Sequence, residues 1–172
     1  MARGHRLVWT LAAGVLAACG ERERPDDDLA AIHAPEVARL VSANEALAGA
    51  NIPVLDPATM NDAEIRRVLG SGPDCSFRYT AEGKPVLAVL WKESGAAADG
   101  TVKLNGDLVA LTGTAAEGKL TLTAGAVQMI LTPDAPLGSP PARGDERREA
   151  DLEFAVGDKL RVGYRGYYAC PE

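Results

Sequence analysis

The carboxylates of residues 149–153 are the side chains whose spacing best suits catalysis. Asp151 and Glu153 lie two residues apart on a predicted strand, so their side chains share one face with Glu149. Such carboxylates could carry out general acid–base chemistry. The alternating Leu152 and Phe154 favour a simpler interpretation, in which the acids form the solvated face of a half-buried strand. We therefore predict no catalytic residues, and a carboxylate-dependent hydrolase stays an alternative.

Histidine, metal and cofactor chemistry finds little support in this chain. Outside the first 18 residues the only histidine is His33, and no serine and acid context around it predicts a catalytic triad. Zinc sites need clusters of His and Cys. Asp99, Asn105 and Asp107 could offer oxygen ligands to calcium, but their spacing differs from an EF-hand and Asn-Gly-Asp is ordinary turn chemistry. We expect no metal and no cofactor.

A cluster of aromatic and basic side chains near the C-terminus is the candidate binding surface. It consists of Tyr167 and Tyr168 with Arg161 and Arg165. Aromatic residues beside arginines are typical of contact surfaces. Because neighbouring residues of a strand point to opposite faces, we expect one of the two tyrosines to be exposed, and Tyr164 to point inward.

Cysteine usage separates one residue from the other two. Cys19 follows a short apolar segment, whereas Cys75 lies where the period-two pattern begins and Cys170 lies close to the last residue. Exported thiols seldom stay unpaired, so we predict a Cys75–Cys170 disulfide, with two buried free thiols as the alternative. For a loop on the order of 100 residues, the chain-entropy model gives a stabilisation of roughly 4–5 kcal/mol.

The N-terminus that precedes these elements predicts export. A short basic start with Arg3 and Arg6 is followed by an apolar run over residues 7–16 and then by small residues, as in a secretory signal peptide. The run is shorter than the about 20 residues that a spanning helix needs. Leu16-Ala17-Ala18-Cys19 resembles the lipobox of bacterial lipoproteins. An ordinary signal peptide is the alternative.

The lipobox resemblance has consequences for attachment and location. It implies cleavage before Cys19, a diacylglyceryl group on the Cys19 thiol and acylation of the new amino group. Several acyl chains anchor far more firmly than one. Gly20 stands where an Asp would favour retention in the inner membrane. We therefore expect a lipid-anchored protein of the cell envelope, most simply in the outer membrane and facing the periplasm.

Four segments follow from this organisation. They are a signal peptide (residues 1–18), a lipidated Cys19 with a charged tether (19–29), a helical segment packed on the β-domain (30–70) and a disulfide-stapled β-domain (71–172). The chain has 18 basic and 24 acidic residues; removing Arg3 and Arg6 leaves 16 against 24, or −8. This balance argues against nucleic acid and against a polybasic contact with anionic headgroups.

The helical segment contains two predicted helices. Pro35 suits a first helical position, and Gly49 is a natural stop. The second helix begins at Asn61, which can form a capping box with Glu64, and ends at Gly70. Apolar residues recur at helical spacing in both, namely Val37, Leu40, Val41 and Leu47 in the first and Ile65, Val68 and Leu69 in the second.

From Cys75 onward the apolar pattern has a period of two. Residues 85–91 are apolar on both faces and predict a buried strand. Asn105-Gly106 between alternating runs is the strongest hairpin signal. Closely spaced turns predict a mainly β fold, a small antiparallel β-barrel or sandwich of 7–8 strands preceded by two short helices. Residues 133–150, rich in proline and charge, predict a mobile surface loop.

Residues 75–170 resemble the membrane-bound inhibitors of c-type lysozyme. The resemblance rests on Cys75, on Lys103-Leu104-Asn105-Gly106 with the leucines that follow it, and on Tyr168-Ala169-Cys170. It implies a small exported β-barrel tied by a disulfide near its ends. The family places a serine and glycine loop, and later a lysine, in the lysozyme cleft. Residues 114–119 keep Gly118 but lack the serine, and the lysine motif has no counterpart, so no inhibitory residue carries over.

These observations predict a non-catalytic envelope lipoprotein. Its partners would be the membrane, through lipid on Cys19, and an envelope protein, a glycan or a small ligand bound by the β-domain. Lysozyme inhibition and carboxylate-dependent hydrolysis are the two alternatives.

Overall fold

The computed structural model of this protein describes residues 37–93, 95–134 and 144–170, without the side chains of 144–146. The predicted signal peptide, Cys19, the tether, His33 and Pro35 lie outside the described residues. Within them, no helix has the length and hydropathy that crossing a bilayer would require.

Strands dominate the described chain, and two short helices precede all but the first of them. The helices are α1 (Ala43–Leu47) and α2 (Asp62–Leu69), with a 3₁₀ turn at Ile52–Val54 between them. The strands are β1 (Leu40–Val41), β2 (Cys75–Arg78), β3 (Leu87–Trp91), β4 (Ala97–Leu104), β5 (Asp107–Ala116), β6 (Lys119–Ala124), β7 (Val127–Pro133), β8 (Gly144–Val156) and β9 (Leu160–Cys170).

Strands β2 to β9 form a closed antiparallel barrel. The order of neighbours is β5-β4-β3-β2-β9-β8-β7-β6, and β6 also pairs with β5, which closes the sheet. The mainly β prediction is confirmed, and of its two architectures the barrel is the one formed. β1 lies outside this closed set and pairs in parallel with β5 at Leu108 and Val109.

Two-residue turns join several strands as their sequences predict. Asn105 and Gly106 both have positive φ, at 50° and 86°, and link β4 directly to β5. Glu117 and Gly118 repeat this geometry between β5 and β6, with φ of 51° and 76°. Paired positive φ angles match the twist of the flanking strands, so these turns set the register of both hairpins.

The barrel interior is a packed apolar core. Alternate residues of each barrel strand point inward, and the largest fully buried side chains include Phe77, Phe154 and Met129. Gly100 and Gly166 allow close approach: a Cβ on Gly166 would lie 2.3 Å from the carbonyl oxygen of Arg78. The lumen is therefore filled by the chain's own side chains.

Residues 37–70 cover part of the outer wall. Met60 and Ile65 pack on Ala88 of β3 and Leu108 of β5, which explains why β3 is apolar on both faces. Arg67 of α2 donates to the carbonyl oxygens of Val37 and Ala38, at 3.2 and 2.9 Å, and so holds the start of the segment.

Two predicted segments differ from the structure. The first helix is only one turn and a half long, because Leu40 and Val41 form β1 with an open stretch of β5 and Ser42 caps the helix after them. The predicted 133–150 loop is wrong for Pro133, which ends β7, and for residues 144–150, which belong to β8. There β9 supplies a long pairing edge, and Ala150 points into the core. Residues 135–143 lie outside the described residues.

The disulfide joins the first and last strands of the barrel. The sulfur atoms of Cys75 on β2 and Cys170 on β9 are 2.10 Å apart. Trp91 of β3 covers this bridge, and its indole Nε1 donates to the Cys75 sulfur at 3.3 Å.

Candidate functional site

A groove with several polar lining residues lies between helix α2 and strand β2, and we call it the α2–β2 groove. It encloses about 240 Å³. Its lining residues are Asp62, Ile65, Arg66, Gly72, Pro73, Ser76, Arg78 and Pro85. Two other grooves run along α1, of about 470 and 320 Å³, and residues 40–44 and 126 with 156–159 contribute to their walls.

Helix α2 holds its side of the groove through its first turn. Asn61 accepts from the Glu64 amide at 2.9 Å, and Glu64 accepts from the Asn61 amide at 2.9 Å, which forms the predicted capping box. Gly70 ends the helix in the left-handed conformation, at φ 76°. Both ends of α2 are thus set by local sequence.

A buried ion pair fixes α2 against the barrel. Glu64 is only 3% exposed and accepts from Lys103 Nζ of β4 at 2.7 Å. Burial by itself raises the pKa of the Glu64 carboxyl, but hydrogen bonds from Lys103 and the Asn61 amide outweigh it and lower that pKa. The carboxylate therefore stays ionised and keeps α2 at a fixed position beside the groove.

Strand β2 forms the opposite side. Asp74 accepts from the Trp91 amide at 2.8 Å, just before the disulfide at Cys75. Alternation then sends Phe77 into the core, whereas Ser76 and Arg78 face the groove. The strand is anchored at its start, so these two side chains are held in place.

The groove carries two arginines that lack a carboxylate partner. Neither Arg66 nor Arg78 forms an ion pair within 4.0 Å among the described residues. The charge of Arg78 contributes to lowering the pKa of the Glu82 carboxyl, but the Glu82 carboxylate forms its ion pair with Arg147, at 2.6 Å. Arg78 Nε is also buried without an acceptor in the described part of the chain.

The arrangement offers hydrogen-bond donors beside a small apolar wall. Two guanidinium groups and the Ser76 hydroxyl can donate, while Asp62 can accept. Ile65 and the two prolines supply the apolar surface. Such a combination of few polar groups and an apolar wall is typical of a ligand-binding site.

Of the predicted tyrosine–arginine surface, the structure places Arg161, Arg165 and Tyr167 on the outer face of β9 and Tyr168 on the inner face. Tyr168 is only 3% exposed and points into the barrel, so it cannot belong to a contact surface, whereas Tyr167 is half-buried on the outside. Their opposite orientations, and the inward orientation of Tyr164, follow the strand alternation that the sequence predicts. Arg161 is paired with Glu153.

The acids of β8 lie on the exposed outer wall and share arginine partners. Arg165 binds Asp134 at 2.8 Å, Glu149 at 2.8 Å and Asp151 at 3.1 Å. Hydrogen bonds to Asp134, then to Glu149 and Asp151, raise the pKa of the Arg165 guanidinium. None of the three grooves described above is lined by these carboxylates.

The three oxygen-bearing residues considered for calcium do not converge. Asp99 pairs with Lys92 at 3.0 Å near the start of β4, and Asp107 pairs with Arg39 at 3.1 Å beyond its end. Six residues of extended strand separate Asp99 from Asn105 by about 20 Å. In the described portion of the chain, no group of three or more His, Cys, Asp or Glu side chains is placed to hold a metal ion.

A tyrosine pair, Tyr79 just after β2 and Tyr164 on β9, contacts residues 56–57. Tyr79 donates to the carbonyl oxygen of Pro57 at 2.8 Å, Tyr164 donates to Asp56, and the two rings are 5.1 Å apart. Burial, and then the charge of Asp56, raise the pKa of Tyr79 to about 12. Burial and the hydrogen bond to Asp56 also raise the pKa of Tyr164. These hydroxyls hold residues 56–57 on the barrel.

Sequence reasoning missed the α2–β2 groove. Ser76 and Arg78 alternate with Cys75 and Phe77, which is the available signal that they face outward. Arg66 is one of two adjacent arginines on α2, and its position relative to β2 is a property of tertiary packing. Charge on the outer face of a strand that a helix covers is the signal that could have singled out Arg78.

Fold and groove together define a small closed β-barrel protein with a filled lumen and an external polar groove. The chain matches the family described as "Domain of unknown function (DUF6692)" over residues 15–172, and it belongs to that family. Neither a curated protein nor a solved structure matches this chain.

Proposed function

We propose that this protein is a non-catalytic, lipid-anchored binding protein of the cell envelope, and that its ligand occupies the α2–β2 groove. The observation that carries the proposal is the pair of arginines without carboxylate partners, Arg66 and Arg78, in one groove on a rigid support. The filled lumen supports an external site over one inside the barrel.

The support around the groove suits binding more than chemistry. The capping box and the Glu64–Lys103 pair fix α2, while Asp74 and the disulfide fix β2. A pre-organised site loses less entropy when its ligand binds. The only hydroxyl nucleophile among the lining residues is Ser76, and the described residues bring no histidine beside it.

Lipid attachment is the second part of the proposal, and the lipobox at Leu16–Cys19 supports it. Acyl chains on Cys19 would hold the barrel at the outer membrane, with residues 20–39 between the lipidated residue and β1. Growth with an alkyne-labelled fatty acid tests this. We expect label on the wild-type protein and none on Cys19→Ala, and equal labelling of both would refute the anchor.

Photo-cross-linking in intact cells tests the groove as the binding site. A p-benzoylphenylalanine in place of Gly72 would enter the groove, and Gly163 on the outer face of β9 is the matched control. A Cβ at either position would have no other atom within 4 Å, so both positions should accept the replacement. We expect a discrete adduct from position 72, and a weaker one when Arg78→Gln is added.

The outcomes separate the alternatives. An adduct that forms equally from positions 72 and 163 would mean non-specific contact, and no adduct from either would count against a ligand in this groove. Mass spectrometry of the adduct identifies whether the ligand is a protein, a glycan or a small molecule.

Lysozyme inhibition stays a second candidate, because a closed barrel whose disulfide joins its first and last strands agrees with the architecture that the resemblance implies. The turn at Glu117-Gly118 would be the projecting element. Titration of c-type lysozyme with the purified protein tests this candidate. Full inhibition at equimolar concentration that is lost on replacing residues 114–119 would favour it over the groove.

A further inference from the structure

We infer that the α2–β2 groove recognises an oxyanion, the carboxylate or phosphate group of a small ligand. The inference rests on the proposed function, since it names the chemistry of the ligand for that same groove. Three independent features of the groove lead to it: its unpaired charge, its buried donors and its size.

The groove brings together two guanidinium groups that have no carboxylate within 4.0 Å among the described residues. Four other arginines each pair with at least one carboxylate, namely Arg39, Arg147, Arg161 and Arg165. The whole chain has more acidic than basic residues, 24 against 18, so carboxylate partners are plentiful. Arg66 and Arg78 nevertheless face the same groove without one. An external anion would complete this site.

Two donors of the groove, the Ser76 hydroxyl and Arg78 Nε, are on buried or partly buried side chains, and the guanidinium groups have a shape that suits an oxyanion. Arg78 Nε is buried with no acceptor among the described residues, and Ser76 beside it is 3% exposed. A buried donor without an acceptor is costly, more so when it is charged. The planar guanidinium fork matches carboxylate and phosphate oxygens in a bidentate manner. A bound oxyanion lets the Arg78 side chain settle onto an acceptor, which the protein alone does not provide.

The size of the groove limits what enters it. Its volume of about 240 Å³ lies below the roughly 300–1,000 Å³ of sites for drug-sized ligands. The groove therefore takes one small anionic group, with Ile65 and Pro73 against the apolar part of the ligand. Asp62 at the rim accepts from a hydroxyl or amino group on the same ligand, and it disfavours a second negative charge.

Titration with simple oxyanions tests the inference. The purified lipidated protein in detergent micelles is titrated with inorganic phosphate and, separately, with acetate, while amide resonances are followed by NMR. We expect shifts at Arg66, Ser76 and Arg78 with one or both anions. Arg78→Gln and Arg66→Gln should each weaken binding at least about tenfold, as expected for loss of a charged hydrogen bond.

Two controls separate the site from general electrostatics and from misfolding. Lys119→Gln removes the same charge from an exposed position at the β5–β6 turn and should leave the affinity within about twofold. Arg66 is exposed on α2, so Arg66→Gln keeps the test valid if Arg78→Gln disturbs β2; far-ultraviolet circular dichroism monitors folding.

Each outcome decides one question. Saturation by phosphate alone assigns a phosphate-bearing ligand, and saturation by acetate alone assigns a carboxylate. No saturable shift with either anion, or equal weakening by Lys119→Gln, overturns the oxyanion class. An adduct at position 72 in cells together with no anion binding would leave the binding function intact and refute only the ligand class. Anion binding in the titration without any adduct in cells would support the oxyanion class and count against the proposed binding function.

Discussion

The two sides of the barrel wall have different outer surfaces. On the covered side, under residues 37–70, the outward-facing Ser76, Ala88, Thr101 and Leu108 of β2 to β5 are all at most 3% exposed. On the open side, β6 to β9 present threonines and paired charges to solvent, among them Arg161 and Arg165. The inner faces of both sides belong to one core.

This difference shows that burial on the outer face decides how much an ion pair there contributes to stability. The Glu64–Lys103 pair is at the covered side, where each charge depends on the other. The Arg161–Glu153 pair is on the open side, where water screens it. The α2–β2 groove lies at the edge of this cover, where Arg78 is partly buried and Arg66 is exposed, so a ligand can reach both.

Removing the link between the two sides should have the largest effect. The disulfide joins β2 of the covered side to β9 of the open side. We expect Cys75→Ser with Cys170→Ser to lower the free energy of unfolding by about 4–5 kcal/mol, since the unfolded chain regains the freedom of a long loop. Urea unfolding measures this, with the reduced wild-type protein as control. A loss below about 1 kcal/mol would show that the closed sheet is stable without the disulfide.

Breaking an ion pair on each side should then separate the two environments. Glu64→Gln leaves Lys103 partly buried beside a neutral group, and we expect it to cost about 3 kcal/mol. Glu153→Gln on the open side should change stability by no more than about 0.5 kcal/mol. Chemical denaturation of both variants gives the comparison, and similar values would remove the distinction between the sides.

Lowering the pH should remove the stabilisation that the buried Glu64–Lys103 pair provides. The pKa of Glu64 is lowered from its ordinary value of 4.5 in the folded protein, so its stabilisation is fully present above that value. It is lost as the pH falls through the folded pKa. The difference in unfolding free energy between wild type and Glu64→Gln should therefore shrink below about pH 4.5. A difference that stays constant to pH 2 would exclude an ionised Glu64.

A pair of glycines on β9 tests how closely the sides meet. A Cβ on Gly166 would collide with the Arg78 carbonyl and the Phe77 ring of β2, at 2.3 and 2.5 Å, whereas Gly163 has open space. We expect Gly166→Ala to cost about 1–3 kcal/mol through overpacking, and Gly163→Ala to be nearly neutral. Thermal unfolding of both variants measures this, and equal melting temperatures would contradict the close β2–β9 contact.

Alkaline titration should give the smallest effect. Burial and the Asp56 charge raise the pKa of Tyr79 to about 12, so the folded state keeps a proton that the unfolded state releases first. Stability that depends on this proton is present at neutral pH and is lost as the pH rises towards 12. At pH 11 the native protein should show less phenolate absorbance than the denatured protein, and Tyr79→Phe should reduce the gap. An unchanged gap would place the effect on another tyrosine.

Sequence prediction worked best where a few neighbouring residues decide the geometry. The Asn61–Glu64 capping box and the Asn105-Gly106 turn are both present, because each depends on side-chain and backbone chemistry within four residues. It was wrong where a distant partner changes the outcome. Leu40 and Val41 have helical spacing but pair with β5, and residues 144–150 look like a loop but pair with β9.

The candidate site was less predictable than the fold. Tyr167 and Tyr168 were correctly placed on opposite faces, but both were assigned to the contact surface, although Tyr168 shares a face with the inward Tyr164 and is the buried one. The groove formed by Arg66 and Arg78 went unnoticed, since the two residues lie on different elements with no shared motif. The lipid on Cys19 stays a prediction.

What the sequence alone determined is the set of local preferences: period-two strands, their turns, the capped second helix and a cysteine pair with one obvious partner each. Only the tertiary structure decided that the sheet closes, which outer strands are covered and that two arginines share a groove. The physical reason is the separation along the chain of the residues that interact. Turns and caps form between near neighbours, whereas burial and the meeting of charges depend on contacts between residues far apart in the chain.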